Sequence, residues 1–378
     1  MGLGHLMKAQ DTLPKNNLVP SLNFYLGYIP QTYPTAPAGQ LAFLNCLGLN
    51  RQFNGKDKWH QFFHYPKGGV ELFFGLFNNP TEFGNVVGFV PTMELNSKHP
   101  KRKWKKKFGL GVAYFNKPFD LIKNPNNYYI GSHFVNMTTL SLLREIKIAK
   151  NLEYTVGASL IHFSNGHTKL PNVGLNLLAL HMGLRTSSNI ERHRYTSVPQ
   201  KNKSGVVVKL GVGMHEFGAT TKAIGGPNYP SYHLSTWFSK SFRNIHVFQL
   251  GVTCAYYTSF YDYITSQELR LKNPRVNAFT GLIFVGHEFV FGKFGLCAQA
   301  GFYVYNPFFI KQKKIEGTWD KFGEKLEAFS TNRLGLVYYP FKKKNSLNHI
   351  KYQLQVGAFI KANLAQADLF EYSVAFSF

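Results

Sequence analysis

A histidine and a serine stand two residues apart, as His162 and Ser164, in the segment 161–176, which reads IHFSNGHTKLPNVGLN. Residues i and i+2 of an extended strand project to one face, roughly 7 Å apart along it. An imidazole and a hydroxyl held in that way can serve as general base and nucleophile. Asn165-Gly166 then supplies turn chemistry, and Asn176 opens a second strand-like run. Such a group performs chemistry only if the flanking elements hold it rigid and turn it toward a substrate, so the elements come next.

The chain has 378 residues, enough for one large domain or two ordinary ones. Charged residues are only 16% and aromatics also 16%, with 35 Phe and 21 Tyr, a low charge and a high aromatic load for a soluble protein. No run approaches the length of a transmembrane helix, but a transmembrane barrel alternates apolar and polar residues and escapes that test. The net charge of +24 calls for an anionic partner. Its Lys and Arg residues are scattered along alternating strands rather than clustered into a nucleic-acid footprint, so an anionic lipid surface is expected and nucleic acid is not. Cys46, Cys254 and Cys297 show neither disulfide nor metal spacing, and His60 and His64 have no third ligand. No metal and no cofactor is expected. Residues 1–20 lack the apolar core of a secretory signal, and Met7–Gln10 is read as a cleavage remnant of an exported chain.

The fold class expected is all-β, a transmembrane antiparallel barrel of about 14 strands, within a range of 12–16. Ile350, Tyr352, Leu354, Val356, Ala358 and Ile360 share one face, with Lys351, Gln353, Gln355 and Lys361 opposite. Phe370, Tyr372, Val374, Phe376 and Phe378 repeat the pattern, and the Phe376-Ser377-Phe378 ending resembles that of bacterial outer-membrane barrels. Strands are expected near 69–78, 83–95, 105–115, 130–143, 152–164, 174–186, 203–216, 230–241, 246–258, 275–290, 293–305, 327–340, 349–361 and 366–378. This places one barrel over 69–378, carrying the hairpin 152–186. Residues 1–68 are an N-terminal extension with one or two further strands at 21–29 and 40–50. Short turns at Gly292 and 242–245 would face the periplasm, and the long connections and the 164–176 hairpin would lie outside.

Leu152, Tyr154, Val156, Ala158, Leu160, His162 and Ser164 form the apolar face of 152–164, so His162 and Ser164 should face lipid. Polar groups there are costly and are functional suspects. A hairpin symmetric about residue 170 sets Ser164 across from Asn176, with His162 diagonal to it. These residues resemble the lipid A 3-O-deacylase (PagL-like) family of eight-stranded outer-membrane barrels, with its His-x-Ser-Asn motif followed by Pro-Asn-x-Gly. The resemblance is tight over 161–176 and loose over about 105–186. It implies His162 as base, Ser164 as nucleophile and Asn172 as oxyanion donor, with backbone near Asn165 and Gly166 as further donors. The family's acidic third member falls at Asn176, which can orient a histidine as in Cys-His-Asn proteases without charge stabilisation of imidazolium. Glu153 lies on the wrong face for that role, and the position of Glu216 is open.

The function expected is that of an outer-membrane serine esterase removing an ester-linked acyl chain from lipid A or lipopolysaccharide, with outer-membrane lipid as its surroundings. No oligomeric state is assigned. The competing reading is a non-enzymatic porin or structural barrel, which the polar strand faces and the length would suit. The basic runs 98–107 and 342–344 read as solvated turns, and 116–120 as an ordinary loop.

Overall fold

The computed structural model describes residues 18–33, 36–98, 103–188, 190, 203–218, 225–266, 272–344, 350–364 and 366–378. Every expected strand forms, and the runs at 21–29 and 40–50 form two more, for sixteen among the described residues. They are β1 (Leu18–Ile29), β2 (Gln40–Gln52), β3 (Lys67–Phe77), β4 (Asn85–Asn96), β5 (Trp104–Phe115), β6 (Phe134–Ala149), β7 (Leu152–Ser164) and β8 (Leu175–Thr186). After them come β9 (Lys203–Glu216), β10 (Asn228–Phe242), β11 (His246–Tyr257), β12 (Phe279–Phe291), β13 (Phe294–Tyr305), β14 (Ser330–Lys344), β15 (Ile350–Asn363) and β16 (Gln366–Ser377). The candidate cleavage remnant at Met7–Gln10 lies outside the described residues.

The strands do not close into one barrel. β8 returns to β1 and β16 returns to β9, giving two closed antiparallel barrels of eight strands each. The expected division into an extension over 1–68 and a barrel over 69–378 is therefore replaced. β1 and β2 complete the first barrel, which ends with β8, and the second begins with β9. The physical reason lies in the faces of β1 and β2. Leu22, Phe24 and Tyr28, and Leu41, Phe43, Leu47 and Leu49, point outward and exposed like the lipid faces of later strands. Backbone in hydrocarbon tolerates no free edge, and eight strands enclose an interior that side chains can fill.

Both interiors are filled. In the half of the first barrel near its short turns, Arg185 binds Glu94 at 2.7 Å, Glu153 at 2.9 Å and also Glu145, and Lys67 reaches the same three carboxylates. Lys107 pairs with Glu71, and Lys105 with Glu145 at 3.4 Å. The end of the run 98–107 is thus lumen strand rather than solvated turn, while 99–102 and the side chains of 342–344 lie outside the described residues. The other half of this barrel is an apolar plug that includes Phe73, Phe115, Met137, Ile161, Phe163, Leu175 and Leu177. In the second barrel, Glu371 joins Lys209 and Arg333. Mouth cavities of about 690 Å³ and 570 Å³ flank a central void of only about 10 Å³. A water-filled porin lumen is not what these side chains build.

The two barrels meet at both rims. At the short-turn rim, α1 (Lys58–Phe62) and Phe63 pack on the second barrel, with ring centroids 4.7 Å apart for Phe63 and Phe291 and 6.2 Å for Trp59 and Phe291. At the opposite rim the loop after β7 reaches β9. Glu371→Leu should lower the unfolding free energy of the detergent-refolded protein by about 3–5 kcal/mol, because Lys209 and Arg333 would remain as buried uncompensated charges. Denaturant titration measures it, and an unchanged midpoint would mean that the cluster is hydrated. Lys169→Cys, at an exposed position of the loop after β7, should react with an impermeant maleimide on intact cells. Reaction only after permeabilisation would reverse the orientation.

Candidate active site

β7 and β8 alternate cleanly. Thr155, Ser159, Ile161 and Phe163 of β7, and Leu175, Leu177, Ala179, His181 and Arg185 of β8, are buried in the lumen. The opposite parity faces lipid: Leu160 above Ala158 on β7, and Leu178, Leu180, Met182 and Leu184 on β8. His162, Ser164 and Asn176 share this outward face, as the sequence indicates. Phe163 and Leu175 anchor the two strands into the plug from the other side.

The register differs from the symmetric hairpin. Pairing ends at Phe163 with Leu175, so His162 lies directly across from Asn176, and Ser164 pairs instead with Asn136 of β6. The loop 165–174 is centred one residue earlier than the sequence suggests. The change favours an orienting role for Asn176. Its Oδ1 lies 2.7 Å from His162 Nδ1, and an oxygen acceptor there requires Nδ1 to carry the proton. Nε2 is then left as the lone-pair nitrogen, with the tautomer assigned from its partner.

Ser164 is 5% exposed, covered by the loop that follows it. Its Oγ accepts a hydrogen bond from Asn172 Nδ2 at 2.9 Å and another from the Gly166 N–H at 3.2 Å. The amide of Asn172 is itself fixed, because its Oδ1 accepts the Asn165 N–H at 3.1 Å. Asn172 and Gly166 are therefore donors converging on the hydroxyl. Asn165 has a different place. Its N–H is committed to Asn172, and its side-chain amide donates to Lys169 O at 2.7 Å and to Ser132 Oγ at 3.2 Å. It braces the loop and offers no free donor. Among the described residues no hydrogen bond joins His162 to Ser164; such bonds are often long before substrate binds.

Two glycines permit these approaches. Gly166 has φ +62°, and a Cβ on it would come within 3.4 Å of Phe370. Gly174 has φ +79°, and a Cβ there would stand 3.0 Å from His162 Cε1. A side chain at either position would press on the site or on the second barrel.

Three groups of supporting residues were not evident in the sequence. Asn136 and Thr138 of β6 extend the polar island beside Ser164 and His162, and they bond each other at 2.8 Å. Their outward parity in the 130–143 run was the available signal. Val173 and Gly174 donate to Tyr128 O and Tyr129 O at 3.0 and 3.1 Å, so the loop 116–133 backs the site loop. Glu216, at the end of β9, comes from the second barrel. Its carboxylate accepts the Leu170 N–H at 2.8 Å and the Gly226 N–H at 2.7 Å, while its own N–H bonds His167 O at 2.9 Å. His167 lies buried beside it and points Nε2 at Gly218 O, 3.1 Å away, which puts its proton on that nitrogen. Burial holds its pKa below the ordinary histidine range. Glu153 remains inside the lumen on Arg185. Among the described residues no cluster of His, Cys, Asp and Glu has the makings of a metal site.

Residues 46–185 match the family described as Lipid A 3-O-deacylase (PagL). Residues 205–340 match the family described as Acyloxyacyl hydrolase, C-terminal domain. Each match falls on one barrel. Among solved structures, the chain is similar to the outer membrane enzyme PagL, with 19% identity, 43% of this chain and 97% of that chain covered, and a TM-score of 0.30. It is also similar to Acinetobacter baumannii OccAB1, at 9% identity over 95% of both chains with a TM-score of 0.24. A third is the outer membrane protein opdK from Pseudomonas aeruginosa, at 8% identity over 96% and 98% with a TM-score of 0.23. No curated protein matches the chain.

Removing the carboxylate that holds the loop from the second barrel should act at a distance. Glu216→Ala should leave both barrels folded and lower ester hydrolysis on the order of 10²-fold, since displacement of aligned groups by about an ångström costs that much. Steady-state rates on matched folded protein measure it, and wild-type rates would mean that the first barrel holds its loop unaided.

Proposed function

The chain belongs to the lipid A 3-O-deacylase and acyloxyacyl hydrolase family of outer-membrane β-barrels, and we propose on that basis that it hydrolyses an ester-linked acyl chain of lipid A, with Ser164 as nucleophile and His162 as base. The observation that carries the residue assignment is the pairing of an oriented imidazole with a donor-cradled hydroxyl on a lipid-facing surface. Lipid A brings its acyl ester to the same place, the boundary between headgroup and hydrocarbon.

In this reading, Asn176 keeps the Nδ1 proton of His162 in place and leaves Nε2 free to receive the Ser164 proton. Rotation of the hydroxyl toward Nε2 is the movement the free site requires. The Oγ then adds to the acyl carbonyl carbon. Negative charge gathers on the carbonyl oxygen, which shares its carbon with Oγ, within reach of the donors that rest on Oγ beforehand, Asn172 Nδ2 and Gly166 N. The intermediate collapses as His162 returns the proton to the departing sugar oxygen. Water, deprotonated by the same imidazole, releases the fatty acid and regenerates Ser164. Asn176 orients the ring without a negative charge, so imidazolium is stabilised less than by a carboxylate.

The surroundings suit an anionic lipid. Lys123 and Lys169 are exposed on the loops around the site, and Leu121 and Ile122 project at 74% and 89% exposure. Basic side chains near a membrane surface contribute about 1 kcal/mol each toward anionic lipid.

Three variants test the assignment by mass spectrometry of lipid A and by rates on matched folded protein. Ser164→Ala should abolish release of the acyl chain without altering the heat-modifiable migration of the folded barrel. Asn172→Ala should reduce the rate by about 10²–10³, the usual effect of losing one oxyanion donor. Asn176→Leu should lose most activity, whereas Asn176→Glu should retain or raise it. Undiminished deacylation by Ser164→Ala would end the serine mechanism, and wild-type rates in Asn176→Leu would make Asn176 an ordinary hairpin residue.

A further inference from the structure

Between the two rims at which the barrels touch, their walls separate and leave a cleft of about 680 Å³ at membrane depth. We propose that this cleft is the binding site for the fatty acyl chain of the substrate, a proposal that rests on the ester-hydrolase reading of the Ser164 site. The second barrel would then form one wall of that enzyme's acyl pocket.

The cleft continues the site without a break. Across β6, β7 and β8 the outward-facing positions stack in rungs: Thr138, His162 and Asn176 form the first, and Leu140, Leu160 and Leu178 the next. Leu142 and Ala158 follow in the third. Leu140, Leu142, Ala158, Leu160 and Leu178 all line the cleft. The catalytic rung therefore stands at the head of an apolar track. From His162 to Ala158 the strand runs four residues, roughly 13 Å, on the scale of a fatty acyl chain. Leu160 and Leu178 remain 45% and 69% exposed, so no protein side chain fills the track.

The opposite wall and the floor come from elsewhere. Phe289 and Leu296, neighbours across β12 and β13, face the track from the second barrel. Phe63, Phe108 and Phe291 close it at the short-turn rim, with Phe108 and Phe291 centroids 5.8 Å apart. At the other rim Phe370 stands against Gly166 and Glu216 holds Leu170. Lys106, near the floor, is the outward-facing charge among the lining residues. Apart from Lys106, which pairs with Leu142 in the third rung, the outward-facing lining residues are hydrocarbon, so the occupant they fit is a chain and not a headgroup. A chain whose ester carbonyl lies at Ser164 has this track directly beneath it, and a bounded floor makes the track a measure of length.

Two experiments on the full chain test this. In the first, lipid A species carrying hexanoyl or tetradecanoyl esters are hydrolysed by wild type, Ala158→Trp, Leu142→Trp and, as a control on the far side of the first barrel, Leu72→Trp. The indoles in the track should lower kcat/KM for the tetradecanoyl substrate by about tenfold or more, mostly through KM, since lost methylene contacts act on this scale. They should leave the hexanoyl substrate unchanged, and Leu72→Trp should change neither. Equal effects on both lengths, or none, would overturn the proposal while leaving the esterase itself intact.

The second experiment does not need turnover. Ser164→Ala protein is irradiated with a lipid A analogue bearing a diazirine at the end of its acyl chain, and in parallel with phosphatidylethanolamine bearing the same chain. Adducts from the lipid A analogue should concentrate on peptides 140–160 and 289–296. Adducts spread around both lipid faces would refute the site. Equal labelling by phosphatidylethanolamine would make the cleft a resting place for bulk lipid rather than the substrate's pocket, and would also overturn it.

Discussion

Closure of each sheet on itself is the constraint from which the rest of this structure follows. Backbone donors and acceptors in hydrocarbon must find partners within the protein, and the sixteen strands meet that demand as two rings of eight. Once a ring is closed, parity along each strand decides everything else. One set of side chains must fill a narrow lumen and the other must meet lipid. The buried Arg185 and Glu371 clusters and the Phe73–Phe163 plug answer the first requirement, and the Leu and Phe faces the second. His162, Ser164 and Asn176 violate the second. They sit on the lipid face with polar groups that the fold does not need, supported from within by Phe163 and Leu175.

Parity was readable from the chain because a period of two is a local property. The alternation of Leu152 through Ser164 placed His162 and Ser164 outward, and the Phe370–Phe378 pattern marked the last strand, both as the structure has them. Closure was not readable, since no single strand records which neighbour its far edge accepts. β8 bonds β1 and not β9 through pairs such as Ser21 with Arg185, residues more than 160 positions apart. Without that information, β1 and β2 read as an appendage and the other fourteen strands as one wide barrel. The same gap hid the register of the site hairpin. Whether Ser164 or His162 faces Asn176 depends on how the loop 165–174 folds, and that loop is shaped by Tyr128, Tyr129 and Glu216 from distant parts of the chain.

The residues of the site divide by how they are held. Asn172 and Gly166 converge on the Ser164 hydroxyl, and Asn176 holds His162 across one rung of the ladder. Asn165, next in sequence to Ser164, instead ties the loop to Ser132 and Lys169 and hands its backbone N–H to Asn172. A motif of four adjacent letters thus separates into two candidate reactive groups and a brace. Neither composition nor spacing distinguishes the two, because both uses employ the same amide.

The Glu216 bond to Leu170 also bears on how such a chain matures. The first barrel contains the candidate residues His162, Ser164, Asn172 and Asn176 and closes through β8 on β1. A carboxylate that fixes the loop after β7 belongs to β9, and β9 is held between β10 and β16, so its place depends on closure of the second barrel. While the second barrel is open, the loop that covers Ser164 keeps its bonds to Tyr128 and Tyr129 but lacks the Glu216 carboxylate. The loop over the candidate site therefore gains its last support only when both barrels are closed.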